Sequence, residues 1–144
     1  GVIEDRSGKT IPDIFKDNGE EYFRDLESQI LEEVAKRGGR IVSTGGGVPI
    51  RSQNRKTMNS TGLVIRLTAT PQTLHKRLTV SAKRRGRSVR PLLGNDAPIK
   101  KIENMMIARE KAYSSANITL DTENKSHQQV AKMIIEAWRN NERA

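Results

Sequence analysis

Apolar residues recur at helical spacing through Phe23, Leu26, Ile30, Leu31 and Val34. Acids fill the opposite face, and Gly38-Gly39 follows. This predicts a helix over 20–36. Ahead of it, Ile11 to Phe15 predicts a short helical turn with Thr10 as cap and Pro12 in its first turn, and Asn18-Gly19 predicts a turn. Residues 40–44 (Arg-Ile-Val-Ser-Thr) read as a short strand that runs straight into Gly45-Gly46-Gly47. A short helix over 53–59 follows, then a strand at 63–67, rich in β-branched residues. Thr70-Pro71 starts a helix to about residue 82, and a further helix covers 98–113 with Ile99, Ile102, Met106 and Tyr113 near one face. Residues 118–122 predict a third strand, and Ser126 caps a last helix through Val130, Met133, Ile134, Ala137 and Trp138.

Strands alternating with helices predict an α/β fold with a parallel sheet. The stretch Lys83 to Asp96 has no apolar period and carries Gly86, Pro91 and Gly94. It predicts a long basic loop, a lid over about 83–97, because loops of this length in compact domains usually serve a function. The 144 residues amount to a single domain. Three strands are few for a sheet covered on both faces, so the chain reads as part of a larger unit.

Composition narrows the chemistry. With no cysteine, disulfides, thiolate metal sites and cysteine nucleophiles are excluded, and two histidines make a His-rich metal site untenable. No apolar run approaches the length of a membrane span, so a cytoplasmic protein with no membrane partner is expected. The net charge is +9. It concentrates between Lys76 and Lys101, where nine Lys or Arg residues face a single acid, Asp96. Such a tract suits either an RNA-binding segment or a lid that grips phosphates. No aromatic residues interleave it to stack bases. It ends in Pro91-Leu92-Leu93, an apolar tail able to dock on a folded body. The lid is the favoured reading.

Ser7-Gly8-Lys9-Thr10 has the tail of a phosphate-binding loop but not its head, since Ile3 stands where the first glycine belongs. It reads as a polar turn. The Gly45–Gly47 turn at the end of a strand is more informative, since ligands of α/β proteins gather at carboxyl ends of parallel strands. Taken singly, it is a generic turn about as often as a site. Arg24 and Arg109, each taken singly, read as helix arginines paired with nearby acids, and Arg77 as an exposed helix residue.

Taken together, Ile3-Glu4, Ile11 to Phe15, Gly19-Glu20, Phe23-Arg24, Glu27, Thr44 to Gly47, Arg77, Arg90 to Leu93, Arg109 and Tyr113 fall in an order and spacing that resembles shikimate kinase. The resemblance covers essentially the whole chain. It implies a three-layer P-loop kinase fold of the nucleoside-monophosphate-kinase type. It also implies ATP- and Mg²⁺-dependent phosphorylation of the 3-hydroxyl of shikimate, on the route to chorismate and aromatic amino acids. By resemblance, Arg24 and Arg109 hold the shikimate carboxylate, and Gly46 and Gly47 offer backbone N–H groups to the same substrate. Arg90, the lid arginine, reaches the β- and γ-phosphates and is the catalytic residue. Arg77 packs on the adenine, and Lys125 to His127 flank it, although the family often has Pro where His127 stands.

The family's chains carry a strand, a P-loop and a helix ahead of the Ile3-Glu4 equivalent, together with the Mg²⁺ ligands. The reading therefore expects a missing N-terminal segment, no metal ligand in this chain, and a gap between residues 41–44 and 63–67. It expects this chain alone to be inactive and the full-length parent to be a monomer with no nucleic-acid partner. The alternatives are a basic RNA-binding fragment and a non-catalytic paralogue.

Overall fold

A computed structural model of the chain describes residues 1–85 and 98–143. The first helix, α1 (Val2–Ser7), carries Glu4 and Asp5 in its first turn and stops at Gly8, whose left-handed backbone (φ 67°) only glycine adopts readily. Ser7 to Thr10 thus forms a connection between helices, as a polar turn should. Helix α2 (Ile11–Ala35) begins with Thr10, whose hydroxyl accepts the Asp13 N–H. Gly19 (φ 84°, ψ 171°) breaks it with a non-helical residue, so the expected turn is present as a kink between two helical pieces. Phe15 and Phe23 stack across the break with ring centroids 4.8 Å apart.

A 3-10 turn (Val48–Ile50) and helix α3 (Ser52–Thr61) lead to strand β1 (Ile65–Thr68). Helix α4 (Pro71–Arg85), capped by the Thr70 hydroxyl, and helix α5 (Ile99–Tyr113) follow. Strand β2 (Ile118–Asp121) and helix α6 (His127–Arg143) complete the chain. Ser126 and Gln129 cap α6 reciprocally. The strands β1 and β2 are parallel, with Ile65 opposite Ile118 and Thr68 opposite Asp121. Two helices intervene between them in sequence, as parallel pairing requires.

The core is small. Ile14, Phe23, Ile30, Leu31, Val48, Ala69 and Ile102 are buried, and so are the charged side chains of Arg24 and Glu27. Ion pairs fasten the elements from outside. Arg6 of α1 grips Glu33 of α2 with two bonds, and Arg51 reaches back to Glu21 and Asp25 of α2. Arg66 of β1 takes Glu110 of α5 through its two terminal guanidinium nitrogens, at 2.9 and 2.6 Å.

Two expectations need correction. Residues 40–44 join no ladder, and among the described residues the sheet has two strands rather than three. A strand is defined by its neighbour, and β1 gives its bonds to β2. Ile41 is accordingly 98% exposed. The lid at about 83–97, with Arg90, lies for the most part outside the described residues; its first three positions, 83–85, close α4.

Candidate functional site

The Gly45–Gly47 turn is the meeting point of two helices. Arg24 comes from α2, just beyond the Gly19 break, and Arg109 comes from α5. The Arg24 guanidinium lies directly over Gly47, so close that a side chain there would overlap it. The Arg109 Nη1 lies 3.3 Å, and the Tyr113 hydroxyl 3.0 Å, from where a Cβ on Gly46 would stand. Glu27 Oε2 occupies the equivalent place, at 3.3 Å, beside Gly45. Each glycine is therefore a contact surface for a different polar side chain. The absence of Cβ atoms is what lets the helices approach the turn.

Arg24 is held in place. Its Nη1 donates to Glu27 Oε1 at 2.8 Å, its Nη2 stands 3.5 Å from Glu20, and its guanidinium carbon sits 5.2 Å from the Phe23 ring centre. A buried guanidinium needs such a partner, because an unpaired buried charge is costly. Arg109, half-buried on α5, has no ion pair or hydrogen bond among the described residues. The turn thus gathers two cations: Arg24, matched by Glu27 and Glu20, and Arg109, which has no acidic partner among the described residues.

The carbonyls of the turn are all engaged. Gly45 accepts from the Val48 N–H and Gly47 from the Ile50 N–H, both at 3.1 Å. Gly46 accepts from the Tyr113 hydroxyl at 2.5 Å. The N–H groups of the three glycines have no partner among the described residues. Free N–H groups beside two guanidiniums form an anion-binding arrangement.

Behind Tyr113 stands Arg66, its guanidinium carbon 5.5 Å from the ring centre. The Arg66–Glu110 bonds hold the Glu110 carboxyl below the usual carboxylate range and raise the Arg66 guanidinium.

A second cleft, of about 600 Å³, opens at the carboxyl ends of β1 and β2. Leu67, Leu74, Val130 and Ile134 give it apolar walls, and Arg77, Lys125 and His127 give it basic ones. Arg77 donates to the hydroxyl and to the carbonyl of Thr122, each at 2.8 Å. The Thr122 hydroxyl in turn donates to the Thr68 carbonyl at 2.9 Å. Arg24, Gly46, Gly47 and Arg109 are therefore brought together at one place, and Arg77 and Lys125 at another. Sequence reasoning gave no role to Tyr113 or to Arg66. Tyr113 had one legible signal, its place four residues after Arg109 and so on the same helix face.

The family model for shikimate kinase matches residues 1–139 of the chain. The chain belongs to the shikimate kinase family. It is 35% identical over 136 residues to the shikimate kinase of Symbiobacterium thermophilum, covering 94% of this chain and 76% of that protein. It is 38% identical over 133 residues to that of Persephonella marina, covering 92% and 76%. Among solved structures it is similar to a shikimate kinase from Acinetobacter baumannii in complex with shikimate. The TM-score is 0.85 at 29% identity, covering 97% of this chain and 75% of that one. A shikimate kinase from Bacteroides thetaiotaomicron superposes with a TM-score of 0.79 at 30% identity, covering 98% and 80%. The fold is thus the P-loop kinase fold of this family. Among the described residues, no helix is long and apolar enough to cross a membrane.

Proposed function

We propose that the chain binds shikimate at the Gly45–Gly47 turn and that the full-length parent, a monomeric cytoplasmic kinase, phosphorylates its 3-hydroxyl. The observation that carries this reading is the convergence of Arg24 and Arg109 from two helices on a turn whose N–H groups are free. A planar carboxylate is the anion that two guanidinium forks hold best, since each fork offers parallel donors where a lysine offers a point charge. Arg24 is pre-oriented by Glu27, so it meets the carboxylate without first losing rotamer freedom. The unpaired Arg109 supplies the charge that the ligand neutralises. Gly46 and Gly47 let Tyr113, Arg109 and Arg24 close on the turn, which sets both guanidiniums beside its free N–H groups.

The second cleft supports a nucleotide. Hydrogen bonds from Arg77 to Thr122 lie in the guanidinium plane, which leaves its flat faces for stacking on a heteroaromatic base. The apolar walls suit the base, and Lys125 suits an anionic tail. ATP, when bound, supplies the phosphoryl group. We assign Arg90, outside the described residues, to stabilising charge on the transferring phosphate, the chief demand of this chemistry. Among the described residues no group of three His, Asp or Glu side chains gathers to hold Mg²⁺, so no protein ligand is assigned to it.

Calorimetric titration with shikimate tests the reading on the wild-type chain and on Arg109→Ala. Truncating one partner of a desolvated charge pair costs roughly 2–5 kcal/mol, so Arg109→Ala should weaken binding more than tenfold. Equal affinities in the two proteins, or no binding by the wild type, would overturn the assignment.

A further inference from the structure

The peptide joining Gly46 to Gly47 is planar and trans, so its C=O and its N–H point in opposite directions. Fixing one fixes the other. The Gly46 C=O is fixed by the Tyr113 hydroxyl at 2.5 Å. The N–H at the other end of that peptide belongs to Gly47, the residue under the Arg24 guanidinium, and it has no partner among the described residues. Without the Tyr113 bond the peptide is free to rotate, because glycine backbones have the widest conformational choice. The 3-10 turn starting at Val48 restrains only the Gly45 and Gly47 carbonyls.

Tyr113 is itself clamped. Arg66 lies against its ring at 5.5 Å, and Arg66 is locked by two bonds to Glu110, one residue-triplet earlier on the same helix. Tyr113 and Arg109 are four residues apart on α5, so both project onto Gly46 from one helix face. We infer that Tyr113 is a positioning residue: by holding the Gly46 carbonyl it aims the Gly47 N–H at the anion bound between Arg24 and Arg109. The inference rests on the reading of this turn as the shikimate site. It adds a residue that touches no ligand and acts through one peptide plane.

Tyr113→Phe is the test, since it removes the hydroxyl and keeps the ring under Arg66. Shikimate affinity by calorimetry should fall roughly ten- to a hundredfold, the worth of one well-aimed hydrogen bond to a charged group. The amide signal of Gly47 in a ¹H–¹⁵N spectrum should shift on adding shikimate to the wild type and shift much less in the variant. A role confined to tying α5 to the turn would lower the melting temperature yet leave the affinity of the folded protein within twofold. That result, or an unchanged Gly47 response, would overturn the inference. If Tyr113→Phe does not fold, Arg66→Gln carries the test. It removes the cation behind the ring and keeps the hydroxyl, and it should lower the affinity by a smaller factor with the same loss of the Gly47 response. An unaltered response there also overturns the inference. Arg109→Ala separates the two levels. If it too binds shikimate normally, the site reading fails; if it binds weakly while Tyr113→Phe binds normally, only the role of Tyr113 fails.

Discussion

Gly47 carries the most sharply defined steric constraint in the molecule. Its backbone (φ −87°, ψ −13°) is ordinary right-handed helical geometry, so Gly47→Ala introduces no backbone strain. The whole effect is the new methyl group. That methyl would stand 2.5 Å from Cζ and Nη2 of Arg24, about an ångström inside normal contact. The guanidinium must move. It is bonded at 2.8 Å to Glu27, which is 6% exposed. Expelling Arg24 altogether leaves a buried carboxylate unpaired, at about 3–5 kcal/mol. Sliding along the carboxylate in a poorer rotamer costs nearer ~1 kcal/mol. The expected loss therefore lies at about 1–4 kcal/mol, or a melting point lower by roughly 3–12 °C for a domain of this size. Urea unfolding of the double-mutant cycle with Arg24→Ala isolates the cause. Arg24→Ala already carries the cost of unpairing Glu27, and in that background Gly47→Ala should cost less than about 0.5 kcal/mol. Equal costs of Gly47→Ala in both backgrounds would refute the steric reasoning.

Gly19→Ala should destabilise by about 1–3 kcal/mol, because φ 84° with ψ 171° is a backbone region that in practice only glycine occupies. The denaturation midpoint checks it, with Gly62→Ala as a neutral control, since nothing lies within 4 Å of that site. Glu110 sits below its ordinary range because Arg66 bonds it, so its contribution is present above the unfolded carboxylate value, about 4.3, and is lost as pH falls through the lowered folded one. The melting-temperature gap between wild type and Glu110→Gln should be full at neutral pH and close towards about pH 3. A gap that ignores pH would disprove the link.

Much of the fold was legible because it is locally encoded. The Phe23–Val34 stripe, the Thr70 and Ser126 caps and the Asn18-Gly19 signal each act within a few residues, and each has its counterpart in α2, α4 and α6. The strand expected at 40–44 fails for the opposite reason. Its apolar, β-branched residues favour a strand, but pairing depends on a neighbour that propensity does not specify. Helix α1 went unread because six residues are too few to show a period. At the site, Arg24, Gly46, Gly47 and Arg109 looked singly like a solvated pair or a plain turn, and only their joint spacing suggested otherwise. Their assembly depends on α2 and α5 both reaching the segment around the 3-10 turn. The same holds for Tyr113 and Arg66, whose partners lie 67 and 44 residues away in the chain. Thr122 was read as the end of a strand. Its second task, holding Arg77, arises across 45 residues.

That hold on Arg77 has a consequence for selectivity. An arginine free to choose among its rotamers would adapt to many shapes, and would surrender roughly 2 kcal/mol of side-chain entropy whenever a ligand fixed it. Bonded to two oxygens of Thr122, which is itself anchored to Thr68, Arg77 has surrendered that freedom during folding. A ligand that fits the cleft keeps the saving, while one that requires the guanidinium elsewhere must first break two hydrogen bonds to a buried residue. The cleft is built as a gauge of fixed aperture, tolerant of what matches its plane and stiff against everything else.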